Sequence, residues 1–177
     1  VDLTVKDLMR LIHIFLMSLV TPQSTPVTIP ANSVVSTALR TGVDSDVLVI
    51  WMGTNGLTVG GSFTPEQLVD YHNMAINYAA TKKNIIIGLH TGDLNSRKTQ
   101  EEAMQKAFGL RYINLRKYMV EQGLVDAGLE PTQEDTEFIN QGKCPPQLLM
   151  DGTHFTTIGY TLVGKLVYQR GVSLGYW

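Results

Sequence analysis

Short apolar runs alternate with amphipathic stretches along most of this chain. Asp46 to Met52 is nearly continuous in Val, Leu and Ile, which predicts a strand buried on both faces. Thr64-Pro65-Glu66-Gln67 reads as a helix start, with Thr as N-cap, Pro at the first position and Gln three residues after the cap. The helix it opens carries Leu68, Tyr71, Ala75, Tyr78 and Ala79 on one face and ends near Lys82 and Lys83. Asn84 to Leu89 predicts a second buried strand, and Tyr112 to Leu115 a third. Helices are expected over Glu101 to Phe108 and over Arg116 to Gln122, the latter closing at Gly123. Asp126 to Pro146 reads as a long polar loop with one turn of helix around Gln133 to Ile139. A last helix opens at Thr156 or Thr157 and is expected to bury Ile158, Leu162, Val163, Leu166 and Val167. Strands alternating with helices imply βαβ units, a parallel sheet, and ligands at the carboxyl ends of the strands.

The first residues do not share this pattern. Leu11 to Val20 is almost wholly apolar, yet shorter than the roughly 20 residues that span a bilayer, so no membrane span is expected. A helix packed on the sheet is the favoured reading over a signal-peptide core, because no Ala-x-Ala-like site follows. Thr21 to Pro30 carries three prolines and reads as a linker. Residues 1–33 are therefore divided from an α/β domain over residues 34–177.

Composition narrows the field further. With 44% hydrophobic and 17% charged residues, the chain is globular rather than disordered. A net charge of -2 without a long basic run argues against nucleic-acid binding. The lone Cys144 excludes an internal disulfide framework and is read as structural or incidental. Four scattered histidines with one cysteine lack ligand spacing, so no metal site is expected. Gly60-Gly61 lacks the spacing of a phosphate cradle.

Two pieces carry chemistry. Asp151-Gly152-Thr153-His154 places a carboxylate three residues before a histidine, just ahead of a helix. A buried carboxylate accepting from one imidazole nitrogen leaves the other free to take a proton from a nucleophile. Gly53-Thr54-Asn55 follows an apolar strand, and Asn55 offers an amide donor for an oxyanion. His90, at the end of the second strand, is read as lining the pocket or capping its loop, with contact to substrate as the alternative. Trp51 is read as core, and His13 and His72 as packing or surface residues.

These residues resemble the third and fifth blocks of the SGNH (GDSL-type) hydrolases. Two longer runs strengthen the likeness: Gly123-Leu-Val-Asp-Ala-Gly-Leu-Glu-Pro-Thr-Gln-Glu-Asp135 and Pro146-Gln-Leu-Leu-Met-Asp-Gly-Thr-His154. Both are similar to a subgroup seen in bacterial and phage-associated proteins, and the resemblance covers Val34 to Val172. It implies a three-layer α/β sandwich with a mainly parallel, flavodoxin-like sheet. It also implies His154 as general base, Asp151 as its orienting carboxylate, Asn55 as oxyanion donor and Gly53 as the residue that lets the loop turn. The activity implied is hydrolysis of acyl or acetyl esters, carbohydrate esters among them, without a metal or organic cofactor, in an extracellular or virion setting.

The chain departs from the family at two places. Gly56 stands where the third block has Asp, and no Gly-Asp-Ser occurs, so the nucleophile is unidentified. Asp44-Ser45 reads as the turn into the first strand, Ser96 lies where the family has no nucleophile, and Ser24, Ser33 and Ser36 sit in low-information segments. An N-terminally incomplete domain is the resulting expectation. Its sheet would expose an edge beside Val47 to Met52, covered by the apolar segment or by a second copy of the chain. The competing reading is a non-catalytic remnant or carbohydrate-binding domain of the same fold.

Overall fold

Three consecutive β-branched residues, Ile85, Ile86 and Ile87, lie at the centre of a small parallel sheet. The computed structural model describes residues 46–54, 63–79 and 81–177. Among them the sheet has three strands, β1 (Val47–Ile50), β2 (Lys83–Ile87) and β3 (Tyr112–Ile113), in that order. Val49 is level with Ile85 and Ile50 with Ile86, while Ile86 pairs with Tyr112 on the other side. The mixed α/β class and the parallel pairing are as expected from the sequence. Leu11 to Val20, His13, the proline-rich stretch, Ser24, Ser33, Ser36, Asp44-Ser45, Asn55, Gly56 and Gly60-Gly61 lie outside the described residues.

Helices fill the connections. α1 (Pro65–Tyr78) begins in the expected capping box, where the Thr64 hydroxyl accepts from the Gln67 amide and the Gln67 side chain accepts from Thr64 N–H. It stops at Tyr78, and Lys83 belongs to β2 rather than to its last turn. His72, not an outward residue, is fully buried on α1, its Nδ1 donating to the Leu68 carbonyl at 2.8 Å. α2 (Leu94–Phe108) is longer than the expected Glu101 to Phe108 segment. Its start is set by Asp93, whose carboxylate accepts from the Ser96 amide while the Ser96 hydroxyl accepts from the Asp93 amide.

Past β3 the helical path differs from expectation. Leu115 is not a strand residue: Asn114 caps α3 (Leu115–Tyr118) by accepting from Lys117 N–H. A π-helical turn, Met119–Gly123, continues it into α4 (Leu124–Ala127). Gly123 therefore does not end the helix. A Cβ there would stand 2.8 Å from Leu148 Cδ1, so its smallness serves packing. Termination falls to Gly128, in the left-handed conformation. α5 (Gln133–Asn140) occupies the expected helical turn, capped by Thr132 and Asp135. α6 (Thr157–Ser173) opens at N-cap Thr156 and buries Leu162 and Val163, but Ile158 is exposed.

Successive residues of β2 serve separate cores, one on each face. Ile86 packs with Leu68, Met104, Phe108 and Tyr112, which brings in α1 and α2. Ile87 packs with Leu115, Leu148, Phe155, Leu162 and Val163, which brings in α3 and α6. β1, the outer strand among the described residues, is not buried on both faces as its composition suggests: Val49 is 42% exposed. Among those residues no helix is long and apolar enough to cross a membrane.

Candidate active site

The loop between the short 3₁₀ turn Pro146–Leu148 and α6 is a hairpin set on the core. Leu149 and Phe155 form an antiparallel bridge, Met150 N–H donates to the His154 carbonyl at 2.7 Å, and Thr156 N–H donates to the Leu148 carbonyl at 2.9 Å. Leu148 and Phe155, at its base, are buried. The apex is Asp151 to His154.

Within that apex every Asp151 carboxylate oxygen is occupied. Oδ1 accepts from the Thr153 amide at 3.0 Å and the His154 amide at 2.7 Å, and Oδ2 accepts from His154 Nδ1 at 2.7 Å. The backbone bond from His154, then the imidazole bond and the Thr153 amide, lower the Asp151 pKa to about 2. With Nδ1 donating, the neutral His154 carries its free lone pair on Nε2. The contact itself was anticipated from the three-residue spacing. The burial was not: His154 is 64% and Asp151 54% exposed, since both stand on the tip of a hairpin rather than in a cleft.

His90 follows β2 and reaches the same loop. It is buried, and Nε2 donates to the Thr153 carbonyl at 2.6 Å. Its ring lies 4.2 Å from that of Phe155 and 5.9 Å from that of Trp51, centroid to centroid. Burial lowers its pKa most; the Thr153 bond opposes this, and the charges of Arg97 and His154 add to it. Trp51, just past β1, is half-buried rather than core and also meets the rings of Phe155 and Tyr160. Two strand ends thus converge on the hairpin through aromatic contacts.

Gly53 lies two residues beyond Trp51 with φ of 120°, a conformation that side chains rarely adopt. A Cβ there would come within 2.9 Å of Leu68 Cδ1, so the chain passes α1 closely only as glycine. Asn55, the expected oxyanion donor, lies outside the described residues. Ser96 is engaged in the α2 capping box, which accounts for a serine at that strand end without any chemistry.

One polar constellation was not legible beforehand. At the carboxyl end of β3, Glu101 accepts from Arg116 Nε at 2.5 Å and Nη2 at 2.7 Å, and from Asn114 Nδ2 at 2.9 Å. These residues lie 13 and 15 positions apart on different elements, so no local spacing announces them. They line a cleft of about 990 Å³ between α2, α3 and α5, which neither Asp151 nor His154 lines. No group of His, Cys, Asp and Glu suited to a metal ion occurs among the described residues. No protein-family model, curated protein or solved structure matches this chain.

Proposed function

We propose that this chain is a carboxylic-ester hydrolase of the SGNH type in which Asp151 and His154 supply the general base. The observation that carries the reading is the Asp151–His154 pair, held by three hydrogen bonds on one short hairpin. Its supports are the strand ends that converge there, bearing Trp51 and His90, and the glycine turn at Gly53. The helices over the two faces of β2 fit the three-layer, flavodoxin-like sandwich that this family implies.

In this mechanism a serine hydroxyl attacks the ester carbonyl while His154 Nε2 takes its proton. Asp151 balances the imidazolium through Nδ1–H. Asn55 and backbone amides hold the oxyanion of the tetrahedral intermediate. That intermediate collapses as His154 returns the proton to the leaving alkoxide, giving an acyl-enzyme and an alcohol. Water, deprotonated by the same base, then attacks the acyl carbon and releases the acid. Acetyl or short acyl esters, carbohydrate esters among them, are the substrate class, and no cofactor takes part.

The test is hydrolysis of short-chain nitrophenyl esters and acetylated sugars, with fluorophosphonate labelling to find the serine. Turnover that falls roughly 10⁴-fold to 10⁶-fold in His154→Ala, with one labelled serine, fits the proposal. Turnover that survives His154→Ala overturns it. A second reading, a non-catalytic carbohydrate-binding domain of this fold, is favoured by the exposure of Asp151 and His154. It calls for neither turnover nor labelling, together with measurable binding of an oligosaccharide.

A further inference from the structure

His90 sits in a position that only a neutral imidazole fits. The Thr153 carbonyl can only accept, so the proton of that 2.6 Å bond belongs to His90 Nε2. Nδ1 is then the unprotonated nitrogen, and it is buried without a hydrogen-bond partner. A second proton would create a buried donor with nothing to receive it, beside Arg97 of α2 and His154 of the hairpin. Among the described residues, the rings of Trp51 and Phe155 lie against it, and neither brings a carboxylate to compensate the charge. The ring is therefore a one-way donor, wedged between two aromatic side chains.

Thr153 links this donor to the dyad. Its amide donates to Asp151 Oδ1, its carbonyl takes the His90 proton, and the next residue is His154. The hairpin is fastened at its base by Leu148 and Phe155, but its apex is exposed. The His90 bond joins the Asp151–His154 apex to the segment that follows β2.

We propose that His90 is the positioning residue of this site: as the neutral Nε2–H tautomer it holds the Thr153 carbonyl, and through it the imidazole of His154, over the carboxyl end of β2. Its effect on rate rests on the hydrolase reading; its effect on the loop does not. His90 touches neither nucleophile nor ester in this role, and its contribution is orientation.

Nitrogen-15 NMR of the histidine-labelled full chain tests the tautomer directly. His90 should show a protonated Nε2 and an unprotonated Nδ1, and stay so from about pH 5 to pH 8, where an ordinary histidine titrates. His90→Phe keeps an aromatic ring but removes the donor. It should shift the His154 ring resonances and lower kcat on the order of 10-fold to 100-fold with little change in KM. His90→Gln places an amide donor near the Nε2 position and should restore most of both readouts. A protonated Nδ1 on His90 overturns the proposal, as do His154 resonances and kcat unmoved in His90→Phe. Should His90→Phe not fold, the tautomer of the unsubstituted chain decides. Should the unsubstituted chain show no turnover, the hydrolase reading fails by itself, and the two NMR readouts still decide the role of His90.

Discussion

Arg116 meets Glu101 through two parallel hydrogen bonds, at 2.5 and 2.7 Å, with both side chains almost wholly withdrawn from water. The arrangement is fully satisfied: Asn114 donates to the same carboxylate, and Arg116 Nη1 donates to the Gly142 carbonyl. Removing one partner strands the other charge in the interior. Glu101→Ala and Arg116→Ala should each cost about 3–5 kcal/mol in chemical denaturation. The double substitution should cost less than the sum of the two. Additive losses would show the groups to be independent.

Asp151 gives a pH prediction. Its folded pKa of about 2 lies below the ordinary 3.8, so its contribution to loop order is present above about pH 4. That contribution disappears as pH falls through the folded value. Carboxyl-carbon NMR should report a midpoint near 2 for Asp151, with the Thr153 and His154 amide signals moving together with it. A midpoint near 4 would mean that the three bonds do not form in solution.

Cys144 should resist alkylation. The thiol is buried, and burial, helped by the negative charge of Asp135, raises its pKa to about 12. At pH 8 very little thiolate exists and the reagent has no access. Iodoacetamide should modify it only at the rate of unfolding, and rapid labelling of the native chain would contradict the packing around Leu148.

Gly53→Ala should destabilise the domain by more than about 1 kcal/mol, since the substitution combines a positive φ with a clash at Leu68. Thermal unfolding measures it. If the proposed chemistry holds, Asn55→Ala should leave stability unchanged while slowing hydrolysis about 100-fold to 1000-fold, the usual loss of one oxyanion donor. The two neighbours are thus separated by which property each one moves.

Legibility in the sequence followed the range of the interaction. Ile85-Ile86-Ile87 announced the central strand because a strand covered on both sides needs no polar alternation. Thr64 and Thr156 mark helix starts because capping acts over three residues, as does the contact of Asp151 with His154. The first two turns of α2 were missed, for Leu94 to Gln100 contains one apolar residue and only the Asp93–Ser96 box marks the entry. Gly123 was read as a terminator because its close approach to Leu148 joins segments far apart in sequence. The bond from His90 to Thr153 spans 63 residues, and no local pattern encodes it.

The hairpin that bears Asp151 and His154 is anchored by residues other than the two at its tip. Leu148 and Phe155 supply its seat in the core, and main-chain bonds at Leu148, Met150 and Thr156 supply its closure. The tip residues therefore have latitude to change without unseating the hairpin. Such a platform tolerates exchange of its reactive groups, so lineages sharing this anchor could diverge in chemistry, or lose it, while keeping one backbone.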